Sequence, residues 1–547
     1  MPKTFIEHSL NKYKKLSKFS RALALEKNHQ RLLELILKAI KDITNSDGGT
    51  IYIKTEHETL AYAVILNTSL NIKMGGTYSS KMDFKELALY ESNNRPNEKN
   101  ISCYSAINKE VIIVDDVYAD ERFNFTGTKT FDLQYGYKTK SILTIPLLDL
   151  EEEVIGVVQL INAKDENNHP CEYDRQDVEL AGVLASHAAI TLSNHNLQIK
   201  LETLFVQFAE SLAIAIDSKS QYTETHCTLV SDLALMISKV VSESNLPKFA
   251  NFKLTSPVEK EMRLATLLHD CGKVCTPTHI MDKATKLETI HDRINLVKAK
   301  FEILVKDLNI ELLKSKIEKK ETDFVTTENE INKKIKSLTD DLQFLEKANI
   351  GREFMSDLDQ QRIKNISKIK LKKENGQEEA LLSENEVENL MIKKGTLLDS
   401  ERNKINEHAE MTLRILKSLD FPKHLKNIPE IAGGHHEKLN GKGYPRGLKG
   451  DEILLQARIL GIADIFEALT ARDRPYKKGK TLSESLKIVG MMVEDGELDE
   501  DIFRIFVDSG VYLTYANKHL TKNQIDTVDL DTLPGYAKKK LPKKKAA

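Results

Sequence analysis

Two pairs of adjacent side chains in this 547-residue sequence are of the types that bind metal ions. The first pair is His269-Asp270, within HDCGK, and the second is His435-His436, within HHEKLNGKGYP. Adjacent histidines beside a glycine-rich stretch add little to a hydrophobic core, because imidazole is polar and glycine has no side chain to bury. Imidazole and carboxylate ligands together suit iron, manganese, zinc or nickel. The sequence therefore predicts a metal site that uses both pairs.

Three further residues are candidate ligands because of the segments in which they lie. His226 opens a predicted amphipathic helix, His408 lies on another, and Asp464 lies in the apolar helix ILLQARILGIADIFEALTARDRPYK. Taken singly, His226 is better explained as a capping or surface residue and His408 as a solvent-facing one. Asp464 is different, because a buried carboxylate needs a partner charge or a metal. The full set exceeds what one four-coordinate zinc can take, and a carboxylate can bridge two ions about 3.5–4 Å apart, which favours a binuclear site.

The order of these residues resembles the HD-GYP branch of the HD phosphohydrolases. The pattern H…HDxGK…H…HHExxxGxGYP…D is matched by His226, His269 to Lys273, His408, His435 to Pro445, and Asp464. The resemblance covers about 210–290 and 393–510. It implies an all-helical catalytic domain that binds two divalent metal ions, iron or manganese, and hydrolyses cyclic di-GMP to pGpG or GMP.

The resemblance also implies roles for individual residues. Asp270 would bridge the two ions, and Lys273 would stabilise charge or donate a proton at the scissile phosphate. Gly443 and Tyr444 would shape the substrate wall, and Arg474 and Lys477 would contact phosphate. The implied metal ligands are His226, His269, Asp270, His408, His435, His436 and Asp464.

The sequence departs from the family pattern at two smaller points. Some members bind a third metal through a Glu four residues before the first ligand histidine, but Tyr222 stands there, and Glu224 is only two residues from His226. We therefore expect two ions. His291 is a rival for the ligand position that we assign to His408, which we favour because GTLLDSERNKINEH fits the family better.

The largest departure is the 166-residue separation of His269 from His435. We assign the extra residues to a charged helical insertion at 286–392, which predicts a hairpin or coiled-coil arm. It is either a plain solvated insertion or a lid, a partner-docking arm or a dimer contact. The domain around it is predicted in two parts, 217–285 and 393–525, before a basic tail at 526–547.

The N-terminal part has a different texture. Residues 1–45 are predicted to be helical, with an N-terminal segment at 1–28. Asp47-Gly48-Gly49 then breaks the pattern before the strand TIYIK. TIPLLDLEEEVIGVVQLINAK and YDRQDVELAGVLASHAAITLSN resemble a GAF domain, which we place at 29–173. It is either a sensor of a small ligand or of redox state, or a dimerising or structural module.

A single long helix is predicted at 174–216. Val183, Ile190, Leu197 and Leu204 recur every seven residues, which indicates a parallel coiled coil and a homodimer. The alternative is a single helix packed on its own domains. The expected architecture is thus an α+β GAF-like sensor domain, a long linker helix and an all-α HD-GYP catalytic domain with a helical insertion.

Composition limits the remaining possibilities. Charged residues make up 30% and the net charge is −2, so nothing indicates binding to a nucleic-acid polymer. Five cysteines without regular spacing do not form a disulfide framework. The sequence shows no signal peptide and no transmembrane segment, so we expect a cytoplasmic protein. The alternatives to a cyclic di-GMP phosphodiesterase are a non-hydrolysing signalling protein that binds the nucleotide or a partner, and a hydrolase of another cyclic dinucleotide.

Overall fold

The computed structural model describes residues 14, 17–26, 28–78, 84–219, 225–318, 321–351, 354–372, 376–471 and 479–536. The chain divides into two compact units, Met1–Leu204 and Phe205–Ala547. The first combines a β-sheet with helices, and the second is built mainly of helices. No described helix carries an apolar stretch of the length that a bilayer crossing requires.

The first unit is organised by an antiparallel sheet with the strand order β3-β2-β1-β7-β6-β5, to which β4 and β8 add short edges. The strands are β1 (Ser46–Lys54), β2 (Thr59–Asn67), β3 (Ile72–Gly75), β4 (Leu87–Ala88), β5 (Ile112–Val114), β6 (Ile142–Leu148), β7 (Val154–Lys164) and β8 (Pro170–Cys171). The helices are α1 (His29–Ile43), α2 (Ile101–Asn108), α3 (Thr126–Tyr135) and the first part of α4 (Arg175–Asp217). This is the α+β unit that the sequence predicts.

Strand alternation sends neighbouring side chains to opposite faces of this sheet. Ile51 and Val158 pack with α1 and α4 on one face, in a cluster that includes Leu37. Tyr52 and Val157 face the other way, into a second cluster with residues of α2. Because side chains alternate between the two faces along β1 and β7, one sheet contributes to two hydrophobic cores.

The predicted break at Asp47-Gly48-Gly49 is wrong, because β1 already begins at Ser46 and the three residues lie inside it. β1 is paired on both sides, and a Cβ at Gly49 would lie 2.8 Å from Leu160 Cδ2. Glycine is required here by close packing and not by a turn. Asp47 is buried and accepts hydrogen bonds from Tyr137 Oη at 2.6 Å and Lys164 Nζ at 2.5 Å.

The linker helix is present as one continuous element, α4, and the second unit follows with helices throughout. Outside the insertion its helices are α5 (His226–Glu243), α6 (Ser256–Leu267), α7 (Thr278–Met281), α12 (Asp399–Lys417), α13 (Ile428–Gly433), α14 (Leu455–Thr470), α15 (Leu482–Glu494), α16 (Glu500–Asp508) and α17 (Val511–His519). Their shared core includes Val230, Phe466 and Phe503. The expectation of an all-helical domain is confirmed.

The insertion forms a hairpin of two long helices and a small base with its own core. Its elements are α8 (Ile294–Glu318), α9 (Glu321–Ile350), α10 (Asp357–Ile366), β9 (Lys370–Lys372), β10 (Glu378–Ala380) and α11 (Glu384–Leu390). Leu287, Phe301 and Leu345 are buried in its core. The helical hairpin is as predicted, whereas the two-stranded sheet β9-β10 was not foreseen.

Two buried lysines hold the two ends of the insertion together. Lys286 Nζ donates to the carbonyl oxygens of Leu390 and Ile392, at 3.0 and 2.7 Å. Lys283 Nζ lies 2.7 Å from Asn389 Oδ1 and also binds both oxygens of Glu401, at 2.8 and 2.7 Å. Since its ends meet, the insertion can be accommodated without opening the helical core around it.

This arrangement predicts that the insertion can be removed. Replacing residues 288–391 with a flexible linker of about six Gly and Ser residues should leave a folded, monodisperse protein, because the main helical core contains no residue from that range. Circular dichroism and thermal unfolding compared with the full chain measure this. Aggregation or loss of the cooperative transition of the helical unit would show that the core depends on the insertion.

Candidate metal centre

The seven predicted ligands lie at helix ends or on buried helix faces of the second unit. His226 is the first residue of α5, and His408 and Asp464 lie within α12 and α14. His435 and His436 follow the end of α13 at Gly433. The segment SPVEKEMRLATLLHDCGK predicts one helix ending at Gly272, which is wrong, because α6 ends at Leu267 and His269 and Asp270 follow it. Residues Cys271–Cys275 instead form a 3₁₀ turn.

Three of the histidines bind a backbone carbonyl three residues earlier through the same ring atom. The Nδ1 atoms of His269, His408 and His435 lie 2.6 Å from the carbonyl oxygens of Thr266, Ile405 and Ala432, respectively. A carbonyl only accepts hydrogen bonds, so each Nδ1 carries the ring proton and each Nε2 keeps its lone pair. Among the described residues, these three Nε2 atoms are buried and have no hydrogen-bond partner. Buried, aligned lone pairs of this kind fit a metal ion.

His226 is oriented by a carboxylate instead of a carbonyl. Its Nδ1 forms a very short contact with Glu467 Oε2, and its Nε2 lies 3.2 Å from Asp464 Oδ1. Glu467 lies one helical turn after Asp464 on α14 and is buried. A carboxylate on the far nitrogen of a histidine fixes the ring and raises its basicity as a ligand.

The ligand atoms form two groups. His408, His435 and His436 make one, and His226, His269 and Asp464 make the other, with the ligand atoms of each group within 4.8 Å of one another. Asp270 lies between them. Its Oδ1 is 3.4 Å from His408 Nε2, while its Oδ2 is 3.4 Å from His269 Nε2 and 3.6 Å from His226 Nε2. One carboxylate thus presents one oxygen to each group.

The charges of the site favour cations. Burial by itself would raise the pKa of Asp270, but Lys273 and the surrounding histidines outweigh it and hold that pKa well below its ordinary value. Asp464 behaves in the same way, because His226 and His269 lower its pKa against the effect of burial. Both carboxylates are therefore ionised at neutral pH. Lys273 Nζ contacts Asp270, and Glu467, the partner of His226 Nδ1, adds a third acidic side chain to the site.

The histidines of the group formed by His408, His435 and His436 are held neutral. Burial lowers the pKa of His436 to about 4 and lowers the pKa of His435 well below its ordinary value. Burial also lowers the pKa of His408. Around His226 burial has the same effect, but hydrogen bonds to Asp464 and Glu467 reverse it and raise its pKa to about 10. A neutral imidazole is the form that binds a metal ion, so His408, His435 and His436 are ready to bind, whereas an ion would have to displace a proton from His226.

Cys227 is a third kind of candidate ligand, which the sequence did not suggest. It lies close to His269 and Asp270 and is buried. Burial raises the pKa of its thiol well above the ordinary value. Since the thiolate is the metal-binding form, the protonated Cys227 is a poor ligand, and we do not include it in the centre.

The predicted catalytic and substrate residues fall in different places. Lys273 Nζ lies 2.6 Å from Asp270 Oδ2, beside the ligands. The Tyr444 ring contacts the His436 ring, with 4.7 Å between their centroids. A Cβ at Gly443 would lie 2.3 Å from Lys438 N, so this glycine permits close backbone packing within its loop. Arg474 and Lys477 lie outside the described residues, as do Tyr222 and Glu224.

Glu437, like Glu467, was not singled out from the sequence. Its carboxylate accepts the backbone N–H groups of Arg446 and Leu448, at 2.8 and 2.9 Å, and so closes the glycine-rich loop. Its place directly after the two histidines was the available signal. For Glu467 the signal was a second acid one turn after Asp464 in an otherwise apolar helix.

His291, the rival of His408, is exposed in the loop before α8.

Gly272 allows α12 to approach the turn that follows Asp270. A Cβ at Gly272 would lie 2.0 Å from the carbonyl oxygen of His408 and 2.6 Å from Thr412 N. Thr412 Oγ1 joins the two segments by accepting from Gly272 N at 2.9 Å and donating to the His269 carbonyl at 3.0 Å. The glycine and the threonine together bring His408 to Asp270.

The substitution Gly272→Ala should therefore destabilise the second unit. Because the added methyl group meets backbone atoms that cannot move aside, we expect a loss of about 3 kcal/mol in the free energy of unfolding, measured by denaturant titration. Gly182→Ala is a matched control, since a Cβ at that helical position meets nothing within 4 Å. Equal stability of the two variants would contradict the close approach of α12.

Comparison with known proteins identifies one domain in each unit. A sequence profile of the GAF domain matches residues 28–192, and a profile of the HD domain matches residues 384–502. The HD match contains His408, His435, His436 and Asp464 and begins after Asp270. Its start at 384 lies inside the segment that we assign to the insertion.

Curated relatives share shorter regions with the chain. It is 43% identical over 100 residues to a 3′3′-cGAMP-specific phosphodiesterase 3 of Vibrio cholerae, covering 18% of this chain and 21% of the relative. A cyclic di-GMP phosphodiesterase of Pseudomonas aeruginosa is 33% identical over 140 residues, covering 25% and 33%. One of Thermotoga maritima is 40% identical over 98 residues, covering 18% and 26%. The matches thus span between a fifth and a third of these relatives, and the chain combines a GAF domain with an HD domain.

Proposed function

We propose that this protein is a metal-dependent phosphodiesterase that hydrolyses cyclic di-GMP to pGpG or GMP at a binuclear centre, under the control of its GAF domain. The observation that carries the proposal is the position of Asp270, whose two oxygens face two separate groups of histidines. A carboxylate placed in this way is suited to bridging two ions. In this proposal the sensor comprises 29–173, the linker 174–216, and the catalytic domain 217–285 with 393–525.

The residues present fit two divalent ions, iron or manganese. His408, His435 and His436 would hold one, and His226, His269 and Asp464 the other, with Asp270 shared between them. When bound, the two ions would supply positive charge to the phosphodiester and lower the pKa of a water toward neutrality. The three buried Nε2 atoms without hydrogen-bond partners support this assignment.

The chain's own residues would orient the substrate and balance its charge. Lys273 has a side chain that is 24% exposed, and its ammonium contacts Asp270. In this position it can stabilise negative charge that develops on the phosphoryl oxygens, or give a proton to the departing ribose oxygen. Tyr444, packed on His436, offers a flat ring at the edge of the ligands, where a base can stack.

The choice of substrate follows from the relatives. Those we compared are named for either cyclic di-GMP or 3′3′-cGAMP, which share the cyclic ribose-phosphate backbone and differ in one base. Cyclic di-GMP is our first assignment, and 3′3′-cGAMP is the second candidate because the Vibrio cholerae relative is named for it. The metal ligands and Lys273 would act on the ribose-phosphate backbone that both dinucleotides share. Contacts with the bases would therefore decide which dinucleotide is preferred.

We further propose that α4 joins two copies of the chain. Leu197, Leu201, Leu204 and Phe208 follow the alternating spacing of four and three residues that is typical of a coiled-coil seam, and they are 60%, 68%, 64% and 60% exposed. Four large apolar side chains exposed in one row would be buried by a parallel partner helix. Such a dimer would connect a change in the GAF domain to the catalytic domain.

Metal binding and turnover should depend jointly on Asp270. The full-length protein, purified without oxygen, should hold about two ions per chain and convert cyclic di-GMP to a linear product. Asp270→Asn should lose bound metal and lower turnover by at least about a thousandfold, because the amide cannot bridge two cations. Metal analysis and chromatography of the products measure both quantities, with 3′3′-cGAMP as a parallel substrate.

Asp232→Asn is a matched control, because Asp232 is a surface carboxylate of the same unit that pairs with Lys518. It should keep wild-type metal content and turnover. Wild-type turnover in Asp270→Asn would refute the assignment of the site. Loaded protein that cleaves neither dinucleotide would refute the hydrolytic function and leave a binding role.

Dimerisation is tested separately. Replacing Leu201 and Leu204 with Glu should convert a dimer into a monomer in light scattering coupled to gel filtration, because like charges would face each other across the seam. Leu133→Glu is the control, since Leu133 is 87% exposed on α3, outside the row. A wild-type protein that is already monomeric at micromolar concentration would contradict the proposed seam.

A further inference from the structure

The C-terminal end of α4 contacts the segments that carry the ligands of the metal centre. The helix ends at Asp217, and the chain continues through Ser218 and Lys219. The amide of Ser218 donates to the Ile214 carbonyl at 2.9 Å, and that of Lys219 to the Ile216 carbonyl at 3.1 Å. Because these two bonds extend the helical turn, Lys219 is fixed to α4 and moves with it.

The side chain of Lys219 binds the turn that follows Asp270. Its Nζ donates to the carbonyl oxygens of Lys273, Val274 and Thr276, at 3.0, 2.5 and 2.7 Å. An ammonium has three N–H donors, so these three acceptors use its whole capacity. The Lys273 carbonyl also accepts from the Thr276 amide, at 3.0 Å, and a cation suits the carbonyl oxygens at the end of such a turn.

The same turn carries Lys273, whose side chain contacts Asp270. Its amide donates to the Asp270 carbonyl at 2.9 Å, and its Nζ lies 2.6 Å from Asp270 Oδ2. The carbonyl of Lys273 is one of the three that Lys219 binds. Lys219 therefore holds the peptide from which the Lys273 side chain extends.

Asp217 makes a second contact from the same helix end. It is buried, and its carboxylate accepts from the amide and the thiol of Cys227, both at 3.3 Å. Cys227 follows His226, the first residue of α5. Residues at the end of α4 thus contact the start of α5 on one side and the turn with Lys273 on the other.

We propose that Lys219 is a positioning residue of this site, which sets the orientation of Lys273 and passes a displacement of α4 on to it. This inference rests on the proposed hydrolytic function. A hydrogen bond weakens steeply once its atoms separate by a few tenths of an ångström beyond contact, so a small shift of the helix end would release the turn. The metal ligands are held by other contacts, so the shift would change turnover without releasing the ions.

The substitution Lys219→Met tests this, because it keeps the length of the side chain and removes all three donors. In the full-length protein we expect kcat to fall by about tenfold to hundredfold, the effect of losing hydrogen bonds to a charged group, with KM and bound metal near wild type. Amide hydrogen exchange in residues 271–276 should accelerate by at least about tenfold, while exchange in α12 stays unchanged. Lys219→Arg should restore most of the turnover, since guanidinium also donates to carbonyls.

Lys253→Met is the matched control, because Lys253 binds one carbonyl, that of Ser242, on the surface of the same unit. It should behave as the wild type in every measurement. Wild-type exchange in residues 271–276 of Lys219→Met would overturn the inference, and so would an arginine variant that is as slow as the methionine variant. If Lys219→Met fails to fold, Lys219→Gln, which keeps two donors, replaces it with the same criteria.

The exchange measurement does not depend on turnover. If the wild-type protein cleaves no cyclic dinucleotide, the proposed function fails, and exchange in residues 271–276 still decides whether Lys219 holds the turn. If the wild-type protein is active and Lys219→Met matches it in kcat, the proposed function stands and the positioning role fails.

Discussion

The second unit depends on how it surrounds one buried carboxylate, Asp270. An ionised carboxylate out of contact with water is costly unless positive charge and hydrogen-bond donors replace the water. Here Lys273 supplies one charge, and histidines on two sides present ring nitrogens to its two oxygens. The helices that carry these histidines cannot separate without exposing unpaired charge or losing the proposed ions, so the site and the packing of the helices constrain each other.

The histidines are prepared for this environment by the backbone. Three of them bind a carbonyl three residues earlier, which selects the tautomer and leaves Nε2 without a hydrogen-bond partner among the described residues. His226 is the first residue of α5, so no residue of that helix precedes it, and its Nδ1 is paired differently. Glu467 takes the place of the carbonyl and adds a third carboxylate. The difference in position on the helix thus explains the difference in partner.

The close packing around the candidate metal centre contrasts with a nearby point in the chain that accepts a long insertion. Gly272 and Thr412 leave no room between the turn and α12, whereas a segment of more than a hundred residues enters between the same two elements. The insertion is accommodated because Lys283 and Lys286 join its ends and because it buries its own core. It therefore adds length to the chain without entering the core of the helical unit.

Much of this protein can be predicted from its sequence. The candidate ligand types, the helical second unit, the long helix and the helical hairpin all follow from local patterns, because helical periodicity and adjacent metal-binding residues are visible within short windows. Other features are set by contacts between distant segments. Gly48 and Gly49 have the composition of a turn, but they lie in a strand that is paired with a neighbour on each side. The turn after Asp270 lies close to α12, which follows more than a hundred residues later in the chain. Only the tertiary structure joins Glu467 to His226, 241 residues apart, and Lys219 to the turn after Asp270, because neither pair shares a pattern that one stretch of sequence could reveal.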